Sequence, residues 1–319
     1  MKAFVSTTSF LKPGGAAARE LLESFFHEIV YNELGVPLKG AQILDKLDGC
    51  DAYIAGLDYI TRDVIEKMPP TLKVISRYGV GVDRVDLAAA SERGIAVTNT
   101  PGANARAVCE LAFALMLAAA RNVPALHNAV MDGAWPRSQG FELGGKTLGI
   151  LGLGAIGKLL ALRAKAFEMR VVAYDPCFDQ AFGKAHGIQN LPLEELLPQA
   201  HILSLHLPLN EETRYLMDAR RIAMLPRGAL LINTARGGLL HEAAAAEALK
   251  SGQLGGLGLD AFEEEPLGDS PLKGLPRVVF TPHTGAHTEE AVHNMAMLSV
   301  RNAIDVLSGR PCPHLLQHP

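Results

Sequence analysis

The sequence predicts an α/β protein with parallel, doubly wound sheets, and three observations indicate this class. Short apolar runs of strand length alternate with helical segments along most of the 319 residues, which is the pattern of consecutive β-α units. The strands are apolar throughout, as expected of a parallel sheet that helices cover on both faces. A glycine-rich turn joins one such strand to one such helix at residues 152–157. The length of the chain favours two domains.

The first hundred residues alternate strand and helix. Apolar side chains recur at helical spacing between Ala17 and Ile29, which predicts one long amphipathic helix. Thr61 is a candidate N-cap of a later helix. The predicted elements are strands at Ala3–Val5, Asp51–Ala55, Leu72–Ser76 and Ile95–Asn99, and helices at Ala16–Val30, Arg62–Lys67 and Asp86–Arg93.

A first boundary is expected at Thr100-Pro101-Gly102, and a long alanine-rich helix, Ala105–Arg121, follows it. The last predicted helix, Thr288–Leu307, lies beyond the second run of β-α units and is expected to return to the first domain. Between them we predict strands at Thr147–Leu151, Arg170–Tyr174, His201–Leu207, Gly228–Thr234, Leu257–Asp260 and Val278–Thr281, and helices at Lys158–Phe167, Ala219–Leu225 and Glu242–Lys250. We therefore predict one discontinuous domain, residues 1–101 and 287–319, and a second domain, residues 102–286. The tail from Pro311 onward looks irregular.

Composition excludes several classes of function. The formal net charge of −4 argues against a protein that binds nucleic acid by neutralising phosphates. The four cysteines form no Cys-x-x-Cys motif, as expected of reduced thiols in the cytoplasm. The N-terminus lacks the pattern of a signal peptide. The longest apolar run, Leu111–Ala120, is too short to span a bilayer, so neither a membrane nor a nucleic acid is expected as a partner.

The segment Lys146–Asp175 predicts a dinucleotide site. It reads as a strand, the turn Gly152-Leu153-Gly154-Ala155-Ile156-Gly157, a helix and a second strand. Gly152 permits the tight turn, Gly154 lets the backbone approach a pyrophosphate, and Gly157 allows the helix to pack closely on the strand. The first N–H groups of the helix then face the phosphates. A glycine motif alone is a weak signal, but here the flanking strand and helix agree with it.

Asp175 indicates which dinucleotide is bound. It ends the second strand, 18 residues after Gly157, close to the roughly 20 expected for a carboxylate that binds the ribose hydroxyls. Its charge would repel a 2′-phosphate, and Pro176-Cys177 supplies no compensating arginine. The sequence therefore favours NAD over NADP.

Three polar residues that follow predicted strands are candidates for chemistry, because ligands of this fold class lie beyond the carboxyl ends of the strands. Arg236 is suited to grip a carboxylate, although a surface arginine at a helix start fits its position equally well. Glu265 ends an acidic run in which Glu263 and Glu264 are expected to be solvated. His283 follows a strand, and its i,i+4 spacing to His287 does not indicate a metal, since Pro282 and Gly285 disfavour a helix.

These residues resemble a known family. The chain is similar to the D-isomer-specific 2-hydroxyacid dehydrogenases, nearest in pattern to the D-3-phosphoglycerate dehydrogenase branch without its regulatory domain. The matching pieces are Arg77–Asp86, Asn99–Gly102, Lys146–Asp175, His206-Leu207-Pro208 with Thr213, Asn233–Gly238, Asp260 through Glu265-Pro266, and Thr281–Gly285.

The resemblance implies two Rossmann-like domains, one a doubly wound NAD-binding domain and the other a discontinuous, flavodoxin-like substrate domain. It implies a catalytic set of Arg236, Glu265 and His283. It implies substrate contacts from Arg77, Val80, Gly81, Arg236 and His283, with the carboxylate on the N–H groups of Val80 and Gly81. It implies cofactor contacts from Gly152, Gly154, Ala155, Ile156, Gly157, Asp175, Leu207, Pro208, Thr213, Thr234, Ala235, Arg236, Asp260, His283 and Gly285.

The implied chemistry is hydride transfer between NAD and a small D-2-hydroxy acid or 2-keto acid. The oxygen on the reacting carbon gains or loses a proton in the same event, and an imidazole such as that of His283 can move it near neutral pH. Glu265 would orient the ring and favour its charged form. Arg236 would hold the carboxylate and polarise the carbonyl. No metal is expected.

Three questions stay open in the sequence. Phosphoglycerate-using relatives usually carry a basic residue after the strand at 52–55, where this chain has Ala55-Gly56-Leu57-Asp58; Arg62, Arg77 or a partner subunit could supply charge, or Tyr78 could cover a less polar substrate. The loop around Trp135 resembles the family's dimer contact, which favours a homodimer, although a loop anchored on its own domain fits the residues too. An NAD(H)-sensing co-repressor on the same fold is the alternative function.

Overall fold

The structure, a computed structural model, describes residues 1–316. Within them the strands are β1 Lys2–Val5, β2 Glu28–Tyr31, β3 Ala52–Ala55, β4 Val74–Arg77, β5 Ala96–Thr98, β6 Thr147–Leu151, β7 Arg170–Tyr174, β8 Gln189–Asn190, β9 Ile202–Leu205, β10 Ala229–Asn233, β11 Leu254–Leu259, β12 Val278–Phe280 and β13 Leu315–Leu316. The helices are α1 Ala16–Phe25, α2 Ala41–Leu47, α3 Arg62–Glu66, α4 Leu87–Glu92, α5 Ala105–Arg121, α6 Val123–Met131, α7 Ala155–Ala166, α8 Gln180–His186, α9 Leu193–Leu196, α10 Ala219–Met224, α11 Glu242–Lys250 and α12 Glu289–Leu307.

The backbone groups into two compact units. The first contains Met1–Asn104 together with the C-terminal segment that begins at Ala286, and the second contains Ala105–Gly285. That these units act as a substrate domain and a cofactor domain stays a prediction. Each unit has one sheet, and the two sheets have the strand orders of the two α/β architectures implied by the resemblance.

The first unit has the sheet order β13-β5-β4-β3-β1-β2. Its five parallel strands therefore follow the flavodoxin-like order 2-1-3-4-5. Successive side chains of β1 enter opposite cores, because Phe4 joins the cluster on one face while Ala3 and Val5 join the cluster on the other. The sheet is thus buried on both faces, as the apolar strands predicted.

Two predictions for the first unit are wrong. The helix expected at Ala16–Val30 ends at Phe25, and Glu28–Tyr31 forms β2, paired parallel to β1. Ile29 is partly buried in the strand, and a helix would cover the same side chain, so the strand forms because the free edge of β1 offers hydrogen-bond partners to an extended chain. The tail expected to be irregular contains β13, where Leu315 pairs antiparallel with Thr98. Thr61 stands at the N-cap of α3 as predicted, although its hydroxyl makes no capping bond.

The second unit has the sheet order β12-β11-β10-β9-β6-β7-β8, all parallel. Numbered within the unit, this is 7-6-5-4-1-2-3, the doubly wound order of dinucleotide-binding sheets with one strand added. Leu231 of β10 points into one core and Leu230 and Ile232 into the other. The reversal of strand order falls between β6 and β9, which is where ligands bind in such sheets.

No single helix within residues 1–316 has the length and apolar character to cross a membrane. The helices α5 and α6 reach that length and apolar character only when they are counted as one span, and they are bent by 64° at the break between them. This result depends on length and composition alone.

Candidate active site

The carboxyl edge of the second sheet aligns five residues from five strands. Leu151, Leu205, Asn233, Leu259 and Phe280 are partners across β6, β9, β10, β11 and β12. The residues that follow them therefore form a row. These residues are Gly152, His206, Thr234, Asp260 and Thr281. The row contains three of the predicted cofactor contacts and places the loops of the predicted catalytic residues at one edge.

The glycine motif has the local geometry that a bound pyrophosphate requires. Gly152 has φ +99°, and a Cβ on Gly157 would stand 2.2 Å from the Gly152 carbonyl oxygen, so no larger residue fits at 157. A Cβ on Gly154 would meet nothing within 4 Å, which leaves open space in front of α7. Ala155 and Ile156 begin α7, where the first N–H groups have no acceptor within the helix. The residues therefore fit a dinucleotide phosphate.

The carboxylate of Asp175 is tied to this turn. Its Oδ2 accepts a hydrogen bond from the Leu153 N–H at 2.6 Å, and its Oδ1 accepts one from the Cys177 N–H at 2.7 Å. The negative charge thus lies at the end of β7, beside the glycine motif. This is the position from which a carboxylate binds ribose hydroxyls in such sheets.

His283 and Glu265 form a hydrogen-bonded pair. The His283 Nδ1 lies 2.8 Å from Glu265 Oε1, and both side chains are largely but not fully buried, with exposures of 27% and 16%. His283 has φ +52°, a left-handed backbone that is unusual for a residue other than glycine. A bond from Nδ1 leaves Nε2 as the ring nitrogen available for proton transfer.

Asp260 holds the loop on both sides of His283. Its Oδ1 accepts from the Thr281 hydroxyl at 2.7 Å and from the Thr284 N–H at 2.8 Å, while Oδ2 accepts from the Gly285 N–H at 2.8 Å. These bonds offset the strain of the left-handed conformation. Asp260 and Gly285, both predicted cofactor contacts, are thus parts of the frame of the histidine loop.

Arg236 is positioned by a residue that the sequence reasoning did not single out. Asn233, fully buried at the end of β10, donates from Nδ2 to the Arg236 carbonyl at 2.8 Å and accepts at Oδ1 from the Ala235 N–H at 3.1 Å. The Arg236 guanidinium also donates to the Ala235 carbonyl at 2.8 Å. In the sequence, the signal for this role is that a single amide residue, Asn233, ends the apolar run Leu230-Leu231-Ile232.

The loop after β9 carries Leu207, Pro208 and Thr213. The Thr213 hydroxyl donates to the Pro208 carbonyl at 2.7 Å, and its N–H donates to Asn210 Oδ1 at 2.9 Å. Thr213 therefore shapes the loop that borders the glycine motif. Contact with the cofactor stays a prediction for all three residues.

His206 is a second buried histidine at this edge, and the sequence reasoning used it only as part of a motif. Its Nε2 lies 2.8 Å from Ser204 Oγ, and its Nδ1 is buried without a hydrogen-bond partner among residues 1–316. Burial lowers the pKa of His206 to about 4, so its ring is neutral at physiological pH.

The predicted substrate contacts of the first unit lie after β4. Arg77 is buried, and its guanidinium donates to the carbonyls of Ala55 at 3.2 Å and Tyr78 at 2.6 Å. These bonds stabilise the loop that follows β4. Val80 is 41% exposed, and its carbonyl accepts from the Asn99 side chain at 2.9 Å. Gly81, next to it, is half-buried. Direct contact of these residues with a substrate stays a prediction.

The fold and this edge define a nucleotide-dependent α/β enzyme, and comparison with known proteins identifies its family. The sequence model described as "D-isomer specific 2-hydroxyacid dehydrogenase, NAD binding domain" matches residues 113–285, more than half of the chain. The chain therefore belongs to the D-isomer-specific 2-hydroxyacid dehydrogenase family. Membership of this family confirms the predicted enzyme class and the NAD cofactor, and the likeness to solved structures confirms the two Rossmann-type sheets.

Individual relatives agree with this assignment. A D-3-phosphoglycerate dehydrogenase of Methanocaldococcus jannaschii is 41% identical over 90% of this chain, which spans only 55% of that relative's length. A glyoxylate reductase of Korarchaeum cryptofilum is 36% identical over 96% of both chains. The crystal structure of the TT0316 protein from Thermus thermophilus superposes with a TM-score of 0.89 at 39% identity, covering 99% of this chain and 100% of that one.

Proposed function

We propose that this protein interconverts small, unphosphorylated 2-keto acids and D-2-hydroxy acids with NAD(H), as a glyoxylate or hydroxypyruvate reductase does. The hydrogen bond between His283 Nδ1 and Glu265 Oε1 carries the proposal. It supplies an oriented imidazole at the end of the sheet where NAD binds in this family. The relatives named glyoxylate reductase, which this chain matches along nearly its whole length, support the substrate class.

His283 is the proposed proton donor to the keto oxygen in reduction, and the acceptor of the hydroxyl proton in oxidation. Glu265 holds the ring through Nδ1, so that Nε2 moves the proton. Arg236 binds the substrate carboxylate and polarises the carbonyl, and we assign further carboxylate binding to the N–H groups of Val80 and Gly81. Bound NAD supplies the hydride donor or acceptor, C4 of its nicotinamide.

The loop after β3 supports an unphosphorylated substrate. In the first sheet the strand order reverses between β1 and β3, and ligands of such sheets bind at that point. The loop there carries Asp58, whose buried carboxylate accepts from the Ser6 hydroxyl, the Tyr53 hydroxyl at 2.9 Å and the Leu38 N–H at 2.6 Å. An acid at this place would repel a phosphate.

Both arginines that the sequence suggested as partners of a substrate phosphate bind other groups of the protein. Arg62 donates to both carboxylate oxygens of Glu92, at 2.6 and 3.1 Å. Arg77 is buried, and its guanidinium donates to the Tyr78 carbonyl in the loop that follows β4. Arg84, half-buried, donates to the Leu57 carbonyl at 2.9 Å, so its guanidinium lies beside this loop.

A substrate screen tests the proposal. The oxidation of NADH, followed by absorbance, is measured with glyoxylate, hydroxypyruvate, pyruvate, longer branched keto acids and phosphohydroxypyruvate. We expect glyoxylate or hydroxypyruvate to have the highest kcat/KM, and Leu57→Arg to raise the kcat/KM for phosphohydroxypyruvate. Preference of the wild type for phosphohydroxypyruvate, lost in Arg84→Ala, would reverse the substrate assignment. Oxidation of NADH by no keto acid would favour the NAD(H)-sensing alternative.

We also propose a homodimer that forms through α6 and the following loop. No residue of α6 is buried, and the exposed side chains in this segment include Val130 at 50%, Met131 at 73% and Trp135 at 82%. An exposed apolar patch of this kind is typical of an interaction surface. We place the protein in the cytoplasm because its four cysteines are free thiols, as in reducing compartments.

A further inference from the structure

The segment that carries Glu265 belongs to a long loop that needs external support. It lies between the end of β11 at Leu259 and the start of β12 at Val278. Long loops without regular structure are usually mobile unless side chains tie them down. A carboxylate that must stay 2.8 Å from an imidazole therefore requires fixed points nearby in the chain.

Two other carboxylates supply those points by exchanging hydrogen bonds. The Glu242 N–H donates to Glu263 Oε1 at 2.6 Å, and the Glu263 N–H donates to Glu242 Oε1 at 2.8 Å. Each side chain thus binds the backbone of the other residue. Glu242 is the first residue of α11 and only 7% exposed, and a negative charge is stabilised at that end of a helix.

The second oxygen of each carboxylate extends the tie. Glu242 Oε2 accepts from the Ser270 hydroxyl at 2.9 Å, and Glu263 Oε2 accepts from the Tyr215 hydroxyl at 3.2 Å. Glu242 therefore binds the loop at residues 263 and 270, on either side of Glu265. One buried carboxylate therefore ties the loop on both sides of Glu265.

The same peptide packs against the segment of Arg236. A Cβ on Gly237 would stand 1.8 Å from the Phe262 carbonyl carbon and 2.4 Å from the Glu263 nitrogen, so the Phe262–Glu263 peptide rests directly on the residue after Arg236. The N–H group of that peptide is the one that donates to Glu242. Fixing it holds the Glu265 segment in place beside the Arg236 segment.

We propose that Glu242 and Glu263 are positioning residues for the reaction, which hold Glu265 at the His283 ring and against the Arg236 segment. Glu263, expected from the sequence to be merely solvated, is exposed as a residue yet has both carboxylate oxygens hydrogen-bonded. The inference rests on the proposed roles of His283 and Glu265. Removing either the Glu242 or the Glu263 carboxylate should slow catalysis, because Glu265 is then no longer held at the His283 ring. Binding of the dinucleotide should stay intact.

Glu263→Ala is the principal test, and Glu264→Ala, at the adjacent exposed position, is the matched control. We expect Glu263→Ala to lower kcat by about 10- to 100-fold, to move the pH profile of kcat/KM toward that of Glu265→Gln, and to change the Kd of NADH, measured by fluorescence, less than twofold. Glu264→Ala should match the wild type. Glu242→Gln keeps one oxygen acceptor and the side-chain volume, so it should fold and have a smaller effect in the same direction.

A double-mutant cycle separates positioning from general stability. In a Glu265→Gln background, Glu263→Ala should add less than about a twofold loss, since the two residues act through one contact. An equal loss in both backgrounds, or an unchanged pH profile, would overturn the inference. The imidazole N–H resonance of His283, recorded without substrate, should change alike in Glu263→Ala and Glu265→Gln. This readout decides the inference even if no keto acid is reduced, which would defeat the proposed function alone.

Discussion

The Nδ1 atom of His283 lies 2.8 Å from Oε1 of Glu265, a carboxylate that is 18 positions earlier in the chain. The histidine backbone is left-handed at φ +52° and is held by Asp260 through its neighbours Thr284 and Gly285. The ring is therefore oriented by a frame of the second unit itself. Much of the function proposed for the protein depends on this frame, and its parts can be tested separately.

Replacing the imidazole should remove turnover and spare binding. We expect His283→Ala to lower kcat by about 10²- to 10⁴-fold, the usual contribution of a general acid or base, while the Kd of NADH stays within a few-fold of the wild type. Glu265→Gln should have a smaller effect, because its amide still accepts from Nδ1 but carries no charge. His293→Ala, at an exposed position of α12, is the control and should be fully active. Wild-type turnover in His283→Ala would remove it from the mechanism.

The roles of the second and third glycines of the motif can be told apart by paired alanine variants. Gly154→Ala places its methyl group in open space, so the melting temperature should not change, whereas the Kd of NADH should rise by about tenfold or more. Gly157→Ala forces a Cβ to within 2.2 Å of the Gly152 oxygen and should destabilise the fold by about 1–3 kcal/mol. Thermal unfolding and NADH titration measure both. Unchanged NADH affinity in Gly154→Ala would contradict the assigned position of the pyrophosphate.

The charge of Asp175 should decide between NADH and NADPH. Asp175→Asn retains an oxygen acceptor for the N–H groups of Leu153 or Cys177 but removes the charge that repels a 2′-phosphate. The ratio of kcat/KM for NADPH to that for NADH should rise by about tenfold, at nearly constant melting temperature. Asp132→Asn, at an exposed site of the same unit, should leave the ratio unchanged. A wild type that uses both dinucleotides equally would argue against this role.

Stability should depend on pH through His206, whose pKa burial lowers from 6.5 to about 4. Above pH 6.5 the ring is neutral in both the folded and the unfolded chain and contributes nothing to the pH dependence. As the pH falls from 6.5 to 4, the unfolded chain binds a proton that the folded chain excludes, so the free energy of unfolding decreases, by up to about 3 kcal/mol. Denaturant titrations of the wild type and His206→Gln give the difference. Parallel pH profiles of the two proteins would refute it.

The patch of α6 and its loop should control oligomeric state. Trp135→Glu puts a charge on the most exposed large apolar side chain of the segment and should convert a dimer into a monomer, as measured by light scattering after size exclusion. Leu162→Glu, at a partly exposed leucine elsewhere in the second unit, should not. A wild type that is monomeric at micromolar concentration would end the homodimer proposal.

The sequence by itself determined the α/β class, the NAD motif and the family, because these depend on signals that are local in the chain. Strands, helices and the spacing of three glycines are read from consecutive residues, and the acid of Asp175 follows within one β-α-β unit. The same locality explains the error at β2. Helical spacing and edge pairing would both cover Ile29 in part, and the strand forms because the free edge of β1 offers hydrogen-bond partners to an extended chain.

Tertiary structure alone decided the contacts that join distant segments. The frame of Asp260 around His283, the buried neutral ring of His206 and the exchange between Glu242 and Glu263 each depend on strand register or on loops that meet at the sheet edge. Nothing within a few residues of Glu263 or Asp260 specifies the partners described above, which come 21 to 48 positions away. A hydrogen bond needs its donor and acceptor within about 3 Å, and only the packed sheet sets distances of that kind.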